Sequence, residues 1–136
     1  MTSTRATRGF SLIELVIVVA IVAILAAIAF PSYEAQLRTS ARAEAESFVT
    51  DIATRQQQYM IDRRSYAPSI AALGMSEPAS LASKYTFTIA VTDGPPPTYR
   101  VTATALGRQA YDKCSGADAS VLTLDNTGQK NPPNCW

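Results

Sequence analysis

The residues of this chain whose types could do chemistry are few and far apart. Histidine is absent, and Cys114 and Cys135 are the only cysteines. A nucleophile–histidine pair, a Cys/His zinc site and a phosphate loop of the Gly-x-x-x-x-Gly-Lys kind all lack their residues. Asp112, Asp118 and Asp125 could ligate calcium, but steps of six and seven residues fit no compact loop. They read as solvated turn residues, so neither a metal, a cofactor nor an enzyme activity is expected. One carboxylate stands out. Between Phe10 and Phe30 only Ser11 and Glu14 are polar, and an unpaired carboxylate in apolar surroundings is costly enough to demand a positive partner.

The element that must position Glu14 is the apolar run itself. As a helix, Phe10 to Phe30 would be about 30 Å long, the thickness of a bilayer's hydrocarbon core. Ala20, Ala23, Ala26, Ala27 and Ala29 would let helix backbones approach one another. Beyond Pro31, residues Tyr33, Leu37, Ala41, Ala45, Phe48, Ile52 and Tyr59 recur at helical spacing, with Arg38, Arg42, Glu44, Glu46, Asp51 and Arg55 off that stripe. Pro31 removes a backbone donor and crowds the preceding turn, which predicts a kink rather than a stop. The whole helix, to about Tyr59, would be about 75 Å long, and its apolar half needs a partner. That need argues for a polymer. The competing readings are a secretory signal cleaved after Ala27-Ile28-Ala29, disfavoured by the length of the run and by Glu14, and a simple single-pass anchor.

From Arg63 to Lys84 the pattern is irregular, interrupted by Pro68, Gly74 and Pro78, with one short helical turn expected between Ser69 and Leu73. Strands follow. Tyr85–Val91 and Tyr99–Ala105 alternate in character around Asp93-Gly94-Pro95-Pro96-Pro97 and predict a hairpin; Val121–Asp125 predicts a third strand. Phe87, Ile89, Val101 and Leu122 or Leu124 should pack on the helical stripe from Leu37 to Tyr59. The fold class is α+β. The proline-rich end, Asn131 to Trp136, reads as irregular.

Gly9-Phe10-Ser11-Leu12-Ile13-Glu14, after the basic Arg5 and Arg8, resembles the processing site of the type IV pilin family. Thr123-Leu124-Asp125-Asn126-Thr127-Gly128 running to Cys135-Trp136 is similar to the PilE-type minor pilins of that family. The resemblance implies a long kinked helix on a small antiparallel sheet with a disulfide-bounded C-terminal region. It divides the chain into a leader (residues 1–9), a transmembrane and filament-core helix (10–30), an amphipathic helix half (31–62), a connecting loop (63–84) and a sheet with its tail (85–136). It implies that prepilin peptidase cuts between Gly9 and Phe10 and that Phe10 is N-methylated. Glu14 would neutralise the amine of Phe10 on a neighbouring subunit; pairing with the amine of its own chain, one helical turn away, and snorkelling toward the interface are the alternatives. The partners implied are other pilin subunits, the peptidase and the inner-membrane assembly machinery, and the roles are pilus biogenesis, twitching motility and adhesion. A pseudopilin of type II secretion is the rival within this architecture.

Charge and cysteines complete the reading. The basic leader should stay cytoplasmic while the head crosses the inner membrane, to be extracted later into an extracellular pilus. Without the leader the chain keeps ten basic and eleven acidic side chains, and such a balance gives no strong field for nucleic acid. Arg63, Arg64, Lys113 and Lys130 could still meet on one face and touch DNA, as some pilins do, although scattered charges more simply form a solvated surface. Phe10, Phe30, Tyr33, Phe48 and Tyr59 are better explained by core packing than by charge transport. With export to an oxidising compartment, Cys114 and Cys135 read as one disulfide, contributing about 3 kcal/mol to a head of roughly 75 residues that is small for its own core. It would tie the tail to the loop after the second strand.

Overall fold

The computed structural model describes residues 10–136. Helix α1 spans Leu12–Arg63 and continues through Pro31. Its first bonds go from the backbone N–H groups of Glu14 and Leu15 to the carbonyl of Ser11 (3.1 and 3.2 Å). Glu14 thus lies in the first turn, where the helix dipole favours an acid. At the other end Arg64 turns to φ 55° while its N–H still reaches the Met60 carbonyl at 2.8 Å. A left-handed residue after the last turn is a common way to end a helix, and Pro68 follows.

The chain divides into two compact units, Met1–Gln36 and Leu37–Trp136. In the first, the described residues are helical from Leu12 onward and their large apolar side chains all face outward. The second is a head in which the rest of α1 packs on a sheet. Strands β1 (Tyr85–Thr92), β2 (Thr98–Ala105), β5 (Val121–Asp125) and β6 (Lys130–Asn131) form that sheet in the order β1-β2-β5-β6, every neighbour antiparallel. A separate hairpin joins β3 (Lys113–Cys114) to β4 (Ala117–Asp118). Its turn residues Ser115 and Gly116 both have positive φ, 48° and 82°, as the two-residue turn that suits strand twist requires. Single 3₁₀ turns occur at Ala71–Leu73, Gly107–Tyr111 and Pro133–Cys135.

Register explains the core. Phe87, Ala103 and Leu122 stand side by side across β1, β2 and β5, as do Ile89, Val101 and Leu124. These rows face Ala41, Ala45, Phe48, Val49 and Ile52 of α1 in one apolar cluster. Phe87 meets the Phe48 ring edge-on at 4.9 Å. Burial of each large apolar side chain contributes about 2 kcal/mol, and the alanines of both layers leave room for close approach.

The stripe predicted from Leu37 to Tyr59 is shortened at its start. Leu37 and Tyr33 are 51% and 63% exposed, and the buried face begins at Ala41 and ends at Gln56. Leu37 lies one turn before Ala41, the first α1 residue in the core shared with the sheet. Core packing therefore accounts for Phe48 but not for Phe10, Phe30 or Tyr33, which are all exposed. The tail is also more regular than its prolines suggest: Lys130 and Asn131 pair with Leu124 and Thr123 before the final turn.

Candidate functional site

Two places in the described residues concentrate unusual features. The first is the start of α1. From Phe10 to Phe30 every large apolar side chain is at least half exposed, from 51% at Val16 to 80% at Leu12. Among the described residues α1 is the one helix long and apolar enough to cross a membrane. Glu14 is exposed on the same helix, four residues after Phe10. Gly9, the other half of the expected cleavage site, lies outside the described residues.

The second place is the tail. Cys114 and Cys135 are bonded, with Cα atoms 5.3 Å apart, and both are buried. The disulfide holds the β3–β4 hairpin and the final turn together. Arg42 and Gln109 make two polar contacts that fix this assembly to α1. Arg42 donates to Asp112 at 2.6 Å and lies 3.4 Å from Glu46. Gln109 donates to the Arg38 carbonyl at 2.9 Å and to the Tyr85 phenol oxygen at 3.0 Å. Burial pushes that phenol up to about 12, because an ionised ring would lose its hydration. Farther along α1, buried Gln56 donates to the Ala67 carbonyl and accepts from the Ala67 N–H, both at 2.8 Å, which clamps the connecting loop.

The three aspartates considered for calcium do not converge, and among the described residues no acidic cluster could hold a metal. Asp118 accepts from the Ser120 N–H, which holds its carboxyl below the usual range. Asp125 accepts from the Thr127 hydroxyl and from the N–H groups of Thr127 and Gln129, and is likewise held low, chiefly by the hydroxyl. These two are turn residues as expected. Asp112 is not solvated: it is 4% exposed and paired with Arg42.

The four cations expected to meet on one face fall into two groups. Arg63 and Arg64 lie at the end of α1, with the Arg63 guanidinium 5.7 Å from the Tyr59 ring centre. Lys113 and Lys130 lie near the disulfide, beside the part of α1 that carries Arg42, about 30 Å back along the helix. Lys130 stands 4.9 Å over the ring of Trp136. Gln109 and Gln56 carry no weight in the sequence reading, and Trp136 enters it only as the end of the tail. Of the two glutamines, Gln56 left a trace there, since it continues the spacing of the stripe four residues after Ile52.

An exposed apolar helix carrying one early acid, followed by a helix-on-sheet head with a disulfide-closed tail, defines a type IV pilin. The prokaryotic N-terminal methylation motif matches residues 4–30. Residues 31–118, well over half of the chain, match the family described as type IV minor pilin ComP, DNA uptake sequence receptor, and the chain belongs to that family of structural pilus subunits. No curated protein matches it.

Proposed function

We propose that this minor pilin is inserted in the inner membrane with its head on the periplasmic side, cut between Gly9 and Phe10, N-methylated at Phe10 and then drawn into a pilus. The single observation that carries this reading is the run from Phe10 to Phe30, helical from Leu12, whose apolar side chains are all exposed while Glu14 sits among them. Lipid satisfies such a surface before assembly and neighbouring helices satisfy it afterwards. In the filament Glu14 pairs with the Phe10 amine of an adjacent subunit, and Pro31 supplies a bend in α1. The partners are other pilin subunits, prepilin peptidase and the inner-membrane assembly machinery, and the filament serves motility and adhesion. Mass spectrometry of the mature protein tests the reading. A first residue of N-methylated Phe10 is expected; a chain starting at Met1 or at Phe30 would contradict it.

A second reading is favoured by the family description, which names a receptor for a DNA uptake sequence. On this reading the head of the assembled subunit binds duplex DNA during uptake. Lys113 and Lys130, which lie together near the disulfide, are its first candidate contacts, ahead of Arg63 and Arg64.

A further inference from the structure

In the head, among the described residues, the large apolar side chains left exposed are Leu37, Ile61, Leu106, Tyr111 and Val121. Ile61 lies near the end of α1, whereas the others gather at the opposite end of the head, where α1 enters it. Leu106 precedes the 3₁₀ turn Gly107–Tyr111 and Tyr111 ends it. Within that turn Gln109 donates to the carbonyl of Arg38, the residue after Leu37. Val121 is paired with Thr104 at the same end of the sheet, where the Ala105 and Leu106 N–H groups donate to the carbonyls of Ser120 and Lys84. Tyr111 protrudes most from the turn, at 78% exposed. Apolar residues scattered singly over a surface call for no explanation, but a gathering at one end marks a place of contact.

The same end is basic. Arg38, Lys84, Arg108 and Lys113 lie in or beside the segments that carry these side chains. Of the acids nearby, Asp112 and Glu46 are engaged with Arg42, and Asp118 stands opposite Lys113 in the β3–β4 hairpin. Cations therefore outnumber acids there. A tyrosine and apolar side chains among arginines and lysines suit the boundary between lipid and water.

Chain length supplies the occupant. Leu37 is seven residues beyond Phe30, where the exposed apolar run ends. Seven residues reach at most about 25 Å even when fully extended. A bilayer that holds Phe10 to Phe30 thus keeps its surface within reach of this end of the head, whatever the bend at Pro31.

We propose that, before assembly, this end of the head docks on the anionic headgroups of the membrane that holds α1. The Tyr111 ring enters the headgroup layer, Leu37, Leu106 and Val121 give apolar contact beside it, and Arg38, Arg108 and Lys113 meet lipid phosphates. Because the helix tethers the head, the contact is intramolecular and a weak surface affinity suffices. Extraction of the subunit from the bilayer breaks it. The inference rests on the membrane-insertion reading and names the surface that the head presents to the lipid.

The full mature chain is reconstituted in lipid nanodiscs holding one copy, made of phosphatidylcholine with or without phosphatidylglycerol. Backbone amide signals are read with a nitroxide on the lipid headgroups. With phosphatidylglycerol present, the amides of Leu106, Arg108, Tyr111 and Val121 should broaden strongly and that of Ile61 should not. Tyr111→Asp should abolish most of this contrast and Ile61→Asp should leave it unchanged, with circular dichroism showing both variants folded. Arg108→Gln with Lys113→Gln should shift the docked-to-free ratio roughly tenfold toward the free head. Equal broadening at both ends of the head, in discs whose lipid chains shield the α1 amides, would overturn this surface and leave membrane insertion standing. Exposure of those α1 amides to water would remove the insertion reading itself. Contrast that is indifferent to phosphatidylglycerol and to both cations would overturn the assignment to anionic lipid. Protection of Tyr111 only in discs holding two copies would give the patch to a second copy of the chain and overturn the proposal.

Discussion

Residues Leu12–Phe30 and Ala41–Gln56 belong to one helix and are both rich in apolar side chains, yet they meet opposite fates. In the first stretch no large apolar side chain is less than half exposed; in the second Phe48, Val49 and Ile52 are 7%, 0% and 0% exposed. Apolar content does not decide burial by itself. The second stretch alternates apolar and charged residues, so only one face needs cover and the chain's own sheet provides it. The first is apolar all round, which no small sheet could cover. Its partner must come from lipid or from other chains.

Mutations at matched apolar positions should separate the two stretches most widely. Ile52→Ala should cost the head about 3 kcal/mol by opening a cavity, whereas Val19→Ala should leave head stability within about 0.5 kcal/mol. Denaturant unfolding of the full chain in micelles, followed by near-ultraviolet circular dichroism, checks both. Equal losses would mean that the two stretches share one cooperative core.

Alkaline pH offers a milder separation. The first stretch contains no tyrosine, while the Tyr85 phenol in the head is pushed from its ordinary 10 up to about 12 by burial. A neutral phenol is the folded form, so its contribution is complete below pH 10. It is lost as pH rises from about 10 to about 12, where only the unfolded chain ionises, and no further loss follows above that range. Unfolding midpoints should therefore fall more steeply over this window for the wild type than for Tyr85→Phe. Parallel curves would show that Tyr85 ionises freely in the folded head.

The smallest expected effect tests the end of the helix, where neither lipid nor sheet is involved. Arg64 holds a left-handed conformation at φ 55°, which glycine adopts without a Cβ penalty. Arg64→Gly should raise head stability by up to about 1 kcal/mol, measured by the same unfolding curves. A loss would show that the arginine side chain contributes more than its backbone strain costs.

What the sequence disclosed follows from how far apart the interacting residues lie. Hydrophobic spacing along α1, the Tyr85 to Ala105 hairpin with its proline loop, and the strand at Val121 are near-neighbour patterns, and each was legible. So was the pairing of Cys114 with Cys135, because no other partner existed. The joints of the head were not. Arg42 meets Asp112 across 70 positions, and Gln109 reaches Arg38 across 71. Nothing local marks a polar residue as buried when its partner is so distant. Strands of two residues, such as β6 and the β3–β4 hairpin, are too short to alternate. Leu37 was overread because periodicity gives the face of a helix but not the length of the sheet covering it. At the candidate sites the difference is similar: Glu14 announces itself by its apolar neighbours, whereas Lys113, Lys130 and Trp136 come together only through the fold.

The most direct measurement of the central claim, that the exposed apolar helix is an assembly element keyed by its acid, compares wild type with Glu14→Ala in cells. Membrane fractions and sheared pili are immunoblotted for the subunit side by side. Equal amounts in the membrane and a loss of most of the signal from the pili are expected for the variant. Wild-type levels of the variant in sheared pili would contradict the account.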